Sequence, residues 1–279
     1  MTNGVLLFAY NNEQIDYVAQ ACYLANRVQQ YMNLPTTLVT DDKARVEKYY
    51  NGNEVFDNII EVSSTRYNKK RYHDGALSHK VLDFKNFNRD NAYNVSPYDQ
   101  TLVLDTDYII SNDLLLNCFN SVNDLMVYSK SLDISGWRET DEFDLISETS
   151  IKFYWATVVF FRKTTSNKMF FNLITHIKEN YEHYRNLYQL TNSVYRNDFA
   201  FSIAIHIMAG QYGSGFVKEL PGKMIYSTGK DILEKVKDDE LTLLVEKENR
   251  SGEYTLLKSK GINLHVMNKF SLNRNIANA

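Results

Sequence analysis

Thr101-Leu102-Val103-Leu104-Asp105-Thr106-Asp107-Tyr108-Ile109-Ile110 sets two carboxylates, separated by one residue, between two apolar runs. Val, Leu and Thr suit a pleated core strand, and a bare acid at its end is costly unless solvated, hydrogen-bonded or paired with a cation. Two such acids point to a cation. Carboxylate oxygens are hard ligands, which favours Mg2+ or Mn2+ over zinc, and a site with few protein ligands leaves positions for phosphate oxygens. In an extended segment these positions share a face, but a turn would break that relation, so only proximity follows. The competing reading is an Asp pair that serves the turn or caps a helix.

Other residues could join that chemistry. His265 closes a short strand expected over 261–267 and could complete a metal site, while Lys269, four residues on, could sit on phosphate. Asp198 stands at the start of an apolar, buried helix running to Met208; it could face a ligand or simply favour the helix dipole.

These residues need a scaffold. Residues 4–10 form an apolar run broken by Asn11-Asn12, and 13–32 show helical periodicity. Residues 36–40 read as a second strand ending in Asp41-Asp42, then a short helix to Tyr50 and a third strand over 58–62. Such alternation predicts a parallel sheet with crossover helices, whose ligands bind at the carboxyl ends of the strands. Ala9, Tyr10, Asn11, Thr40 and Asp41 therefore share a rim with Asp105 and Asp107, although Asn11 and Asp41 could serve only as helix caps.

Residues 65–99 carry Arg66, Lys69, Lys70, Arg71, Lys80, Lys85 and Arg89 among Tyr67, Tyr72, Phe84, Phe87 and Tyr93. A helix is expected over 77–87, with Ala76, Lys80 and Phe84 aligned. The cations could neutralise a diphosphate or approach nucleic acid; Lys69-Lys70-Arg71 reads more simply as a solvated face. Further strands are expected over 124–128 and 151–162, an irregular flap over 129–150, a helix over 165–184 and a charged helix over 230–239.

The bulk numbers are ordinary. In 279 residues, 44% are hydrophobic and 23% charged, and the net charge of -3 gives no global attraction to nucleic acid or an anionic membrane. Two cysteines, Cys22 and Cys118, read as buried thiols in a reducing compartment. With neither a signal peptide pattern nor an apolar stretch near membrane-spanning length, a cytoplasmic protein with no membrane span is expected.

In order and spacing, the strand ending in Tyr10, the motif Leu104-Asp105-Thr106-Asp107, the strand Trp155-Ala156-Thr157-Val158-Val159-Phe160, the start Asn197-Asp198 and the closure from His265 to Lys269 resemble a nucleotide-sugar-dependent glycosyltransferase of the GT-A fold, most like the glycogenin and galactosyltransferase type. The resemblance implies one α/β domain over 1–279, with a mostly parallel central sheet flanked by helices and a small C-terminal β-rich portion. Residues 1–128 would form its nucleotide-binding part, and 129–279 its acceptor side and closure. It implies that Asp105, Asp107 and His265 hold Mn2+ or Mg2+ on the diphosphate of a UDP-sugar, and that Ala9, Tyr10, Asn11 and Asp41 surround the nucleotide. Lys80 and Lys269 would offset phosphate charge, and Asp198 would lie near the anomeric carbon. The activity implied is transfer of a hexose, with retention, to a saccharide, a protein or a modified DNA base; the alternatives are a nucleotidyltransferase or a non-catalytic sugar-nucleotide-binding module. Two departures stand out: Ala156-Thr157 replaces the usual Asn-Ser/Thr-Gly, and the His-x-x-Gly-x-x-Lys closure lacks its glycine, with Lys269 nearer the histidine.

Overall fold

A computed structural model describes residues 1–49, 52–63, 68–138, 143–191, 194–213 and 215–277. Strands and helices alternate at the start: β1 (Asn3–Ala9), α1 (Tyr17–Met32), β2 (Thr36–Thr40), α2 (Lys43–Tyr49), α3 (Gly52–Val55) and β3 (Asn58–Glu61). There follow β4 (Asn68–His73), β5 (His79–Phe84), α4 (Ala92–Val95), β6 (Gln100–Leu104), β7 (Tyr108–Ile109), β8 (Leu125–Tyr128) and β9 (Ser131–Asp133). The remainder comprises β10 (Trp155–Arg162), α5 (Thr165–Glu179), α6 (Tyr181–Leu187), α7 (Asn197–Tyr212), β11 (Met224–Ser227), β12 (Ile232–Lys237), β13 (Glu240–Glu246), β14 (Tyr254–Lys260), β15 (Leu264–Val266) and α8 (Lys269–Ala277).

The central sheet has the order β3-β2-β1-β6-β10-β8; its first four strands are parallel and β10 runs antiparallel to both neighbours. Both faces of β6 are buried, which is why it reads as a continuous apolar run rather than an alternation. β1 approaches the rest closely at Gly4, where a Cβ would fall 2.4 Å from the Tyr98 ring. Below the sheet, α7 buries Phe199, Phe201, Ile203 and Ile205 with Phe170 and Phe171 of α5. A second sheet, β7-β15-β11-β9, crosses the acid end of β6, and β12-β13-β14 form a strand-rich C-terminal portion over Leu233, Leu241, Leu243 and Val245. Among the described residues no helix is long and apolar enough to cross a membrane.

Four expectations need correction. Residues 77–87 are not a helix: β4 and β5 pair as an antiparallel hairpin, turned at Asp74-Gly75 with Gly75 at φ +79°. Tyr72 and Leu82 point inward while Val81 is exposed, the alternation of a half-buried ribbon. The charged stretch 230–239 is likewise a strand and turn, β12 joined to β13 through Asp238 in the left-handed region at φ +53°. The helix over 165–184 divides at Asn180 into α5 and α6. In the expected flap, β9 pairs in parallel with β11, and Arg138 bridges the buried Asp133 and Asp231; Asp141 lies outside the described residues.

Candidate active site

β1 and β6 are parallel neighbours, with Leu7 opposite Leu104, so their carboxyl ends open on one rim. Beyond Leu104 the chain turns: Asp105 N–H still donates to Thr157 O at 2.9 Å, Tyr108 N–H closes onto Asp105 O at 3.0 Å, and Val266 N–H donates to Asp107 O at 2.9 Å. The acids thus sit in a turn clamped between β10 and β15. The same pairing sets His265 opposite Tyr108.

Asp105, Asp107 and His265 each offer a ligand atom, and these atoms lie within 4.8 Å of one another. His265 Nε2 is 3.2 Å from Asp107 Oδ2, and Lys269 Nζ donates to that oxygen at 2.5 Å. Arg89, buried, donates to Asp105 Oδ1 and to the Ala156 carbonyl. Burial alone would raise the pKa of Asp107, yet Lys269 and His265 hold it well below the usual carboxylate range. Asp105 is pushed up instead: burial and the charge of Asp107 outweigh Arg89. Lys269, which burial would lower, is raised by Asp107.

Asp198, at the start of α7, accepts from Ala156 N–H at 2.9 Å and from Arg196 at 3.0 Å. These contacts keep it ionised against a burial that would raise it. One backbone unit therefore joins the two acidic positions, since Ala156 donates to Asp198 and accepts from Arg89.

A cavity of about 480 Å³ opens at this rim. Of the residues singled out from sequence, Tyr10, Asp105, Asp107, Asp198, His265 and Lys269 line it; Ala9, Asn11, Asp41 and Lys80 do not. Tyr10 accepts from Asn88 and burial pushes its phenol up to about 12. Ala9 is buried within β1, and Asn11 Oδ1 accepts from Val18 N–H at the start of α1. Asp42, rather than Asp41, caps α2 by accepting from Arg45 N–H; burial outweighs Lys85 and raises the pKa of Asp41. Lys80 donates to Gln14 at 2.6 Å and lies over the Phe270 ring. Arg66 and Tyr67 lie outside the described residues.

Lining residues with no site role read from sequence include Tyr195 and Asn197, while Arg89 and Lys70 were singled out only among the cations of 65–99. For Arg89, whose carboxylate partner is 16 residues on, no local pattern gives the pairing.

No protein-family model matches the sequence, and no curated protein matches it. Solved structures do resemble the chain. The glycosyltransferase GlyE of Streptococcus pneumoniae TIGR4 has 13% identity and a TM-score of 0.41 over 78% of this chain and 46% of that one. The galactosyltransferase LgtC, in complex with donor and acceptor sugar analogs, has 13% identity and a TM-score of 0.46 over 78% and 73%. Mouse xyloside xylosyltransferase 1, in its apo form, has 10% identity and a TM-score of 0.45 over 79% and 85%. The chain spans less than half the length of GlyE, and at these levels of likeness activity has to be argued from the site.

Proposed function

We propose that the chain transfers a hexose from a nucleotide diphosphate sugar, a UDP-sugar, to an acceptor, with Mn2+ or Mg2+ on the diphosphate. The observation that carries this reading is the convergence of Asp105, Asp107 and His265, with Lys269 beside them, on the wall of a cavity at the carboxyl rim of a mostly parallel sheet. Two carboxylates and an imidazole suit a divalent cation, and the fit is supported by their ligand atoms lying within 4.8 Å of one another, with His265 Nε2 turned toward Asp107. Bound there, the cation would supply Lewis acidity to the leaving diphosphate.

The remaining roles belong to the protein. Lys269 and Arg89 place positive charge beside the carboxylates, where negative charge grows on the leaving oxygen. Asp198, fixed by Ala156 N–H and Arg196, presents an ionised carboxylate to the positive character that develops on the sugar ring, with retention the expected stereochemistry. Tyr10 walls the cavity on the nucleotide side, and Trp155 packs edge-on against His265, fixing the imidazole. Buried Cys22 and Cys118 as free thiols suit a reducing compartment, and we place the protein in the cytoplasm.

The test is turnover of UDP-sugars with and without Mn2+, with products identified. Release of UDP with sugar on water or acceptor is expected, and Asp105→Asn or Asp107→Asn should abolish it; full turnover in both variants overturns the proposal. Transfer of nucleoside monophosphate would mark a nucleotidyltransferase. Saccharide, protein and modified-DNA acceptors are distinguished by which of them takes up label.

A further inference from the structure

The β4–β5 hairpin roofs the cavity, and its position is fixed from several sides. At the tip, Ala76 N–H donates to the Tyr254 hydroxyl at 2.8 Å, and Arg274 grips both oxygens of Asp74 at 2.8 Å. Along the flanks, Asn12 donates to Asp83 O at 3.0 Å and Tyr17 donates to the Tyr72 hydroxyl at 3.3 Å. Three consecutive cations of β4, Lys69, Lys70 and Arg71, line the cavity, and Lys69 pairs with Asp83. Lys70 shares its face with Tyr72 and lies over the rings of Tyr72 and Phe84, 5.7 and 5.1 Å from their centroids, on the cavity wall.

The charges in the cavity do not balance around it. Asp105 has Arg89, Asp107 has Lys269, and Asp198 has Arg196. Each acid of the site is matched, and among the described residues no carboxylate forms an ion pair with Lys70. An inward ammonium left over from three satisfied pairs is a place for an external anion. The surrounding protein atoms, then Lys269 and Arg196, push Lys70 down to about 8, against the pull of Asp198 and Asp107, so a proton on it is held more firmly once an anion arrives.

We propose that Lys70 is a phosphate-binding residue, meeting from the roof a diphosphate whose cation Asp105, Asp107 and His265 would hold. This deepens the sugar-nucleotide reading and rests on it for the identity of the ligand, though not for the presence of an anion site. The pre-positioned hairpin makes the contact without ordering a loop, and the neighbouring ring faces flank the ammonium.

The experiment is calorimetric titration of inorganic pyrophosphate, and separately of UDP, in Mg2+, into the unmodified chain and into Lys70→Met, Lys70→Arg and Lys80→Met. Removing one charge-assisted hydrogen bond should weaken both ligands about ten- to hundredfold in Lys70→Met. Lys70→Arg should retain most of the affinity, Lys80→Met should change nothing, and uridine, which carries no phosphate, should bind all four alike. Lys70→Gln replaces the methionine variant if thermal unfolding shows that one misfolded. Unchanged pyrophosphate and UDP affinity in Lys70→Met, or no pyrophosphate binding by the unmodified chain, overturns the proposal. The two readings fail separately: Lys70-dependent binding without any UDP-sugar turnover sinks sugar transfer alone, whereas turnover with Lys70-independent binding sinks Lys70 alone.

Discussion

Along one sheet rim, polar strand-end residues meet two different fates. After β1, Asn11 accepts from Val18 N–H; after β2, Asp42 accepts from Arg45 N–H. In both places a helix follows, and its unpaired N–H groups consume the side-chain oxygens. After β6 the chain returns at once as β7, so no helix N-terminus is at hand, and Asp105 and Asp107 meet Arg89, Lys269 and His265 instead. A strand-end acid that enters a helix is accounted for locally. One that enters another strand needs a cation from elsewhere.

The most damaging way to break that contrast is Asp107→Asn. It removes one carboxylate of the proposed metal site and leaves the Lys269 ammonium, 15% exposed, without its partner. UDP-sugar turnover should fall at least about a hundredfold. Urea unfolding should show a loss of about 3 kcal/mol or more in the metal-free protein, as for other buried pairs broken on one side. Smaller, and reversible, is the response of the roof to pH. Lys70, lowered to about 8, loses its charge as pH rises through that value, whereas Lys269 keeps its charge and Asp107 and Asp198 stay ionised. UDP affinity should therefore fall as pH rises through about 8, and calorimetry on Lys70→Met should show that step removed.

How much of this could be read from the sequence depends on where each residue finds its partner. Apolar runs with Asn or Asp at their ends marked β1 and β6, as burial on both faces favours, and β-branched residues before Asp41-Asp42 marked β2. The hairpin was obscured by arithmetic: Lys80 and Phe84 are four apart, so they share a face in a strand as well as in a helix, and only Gly75 and the exposed Val81 separate the two. In β12 the pairing register shifts between Leu233 and Lys235, an irregularity that gives Leu233 and Val236 the three-residue spacing of a helix. At the site, Asp105 and Asp107 were visible because adjacent acids after an apolar run are expensive. Arg89 and Lys70 were not, since a cation's partner is set by tertiary packing and leaves no local period.

The weakest tests fall on the other side of the comparison and must come out as stability without function. Asn11→Ala removes a side-chain acceptor from the first turn of α1 and should cost about 1 kcal/mol in urea unfolding. UDP affinity should stay within error, and a loss beyond what unfolding explains would return Asn11 to the site. Asp41 is subtler. Its folded pKa is raised, mainly by burial, so its ionised form is less stable in the fold than in the unfolded chain. Stability linked to it is present while it is protonated, below the unfolded value of 3.8, and is lost as pH rises from there through the folded value. Asp41→Asn should therefore raise the melting temperature slightly at pH 7, and the gain should vanish near pH 3. A loss at pH 7 would mean that the carboxylate has a partner worth more than its desolvation, and the rim after β2 would then behave like the rim after β6.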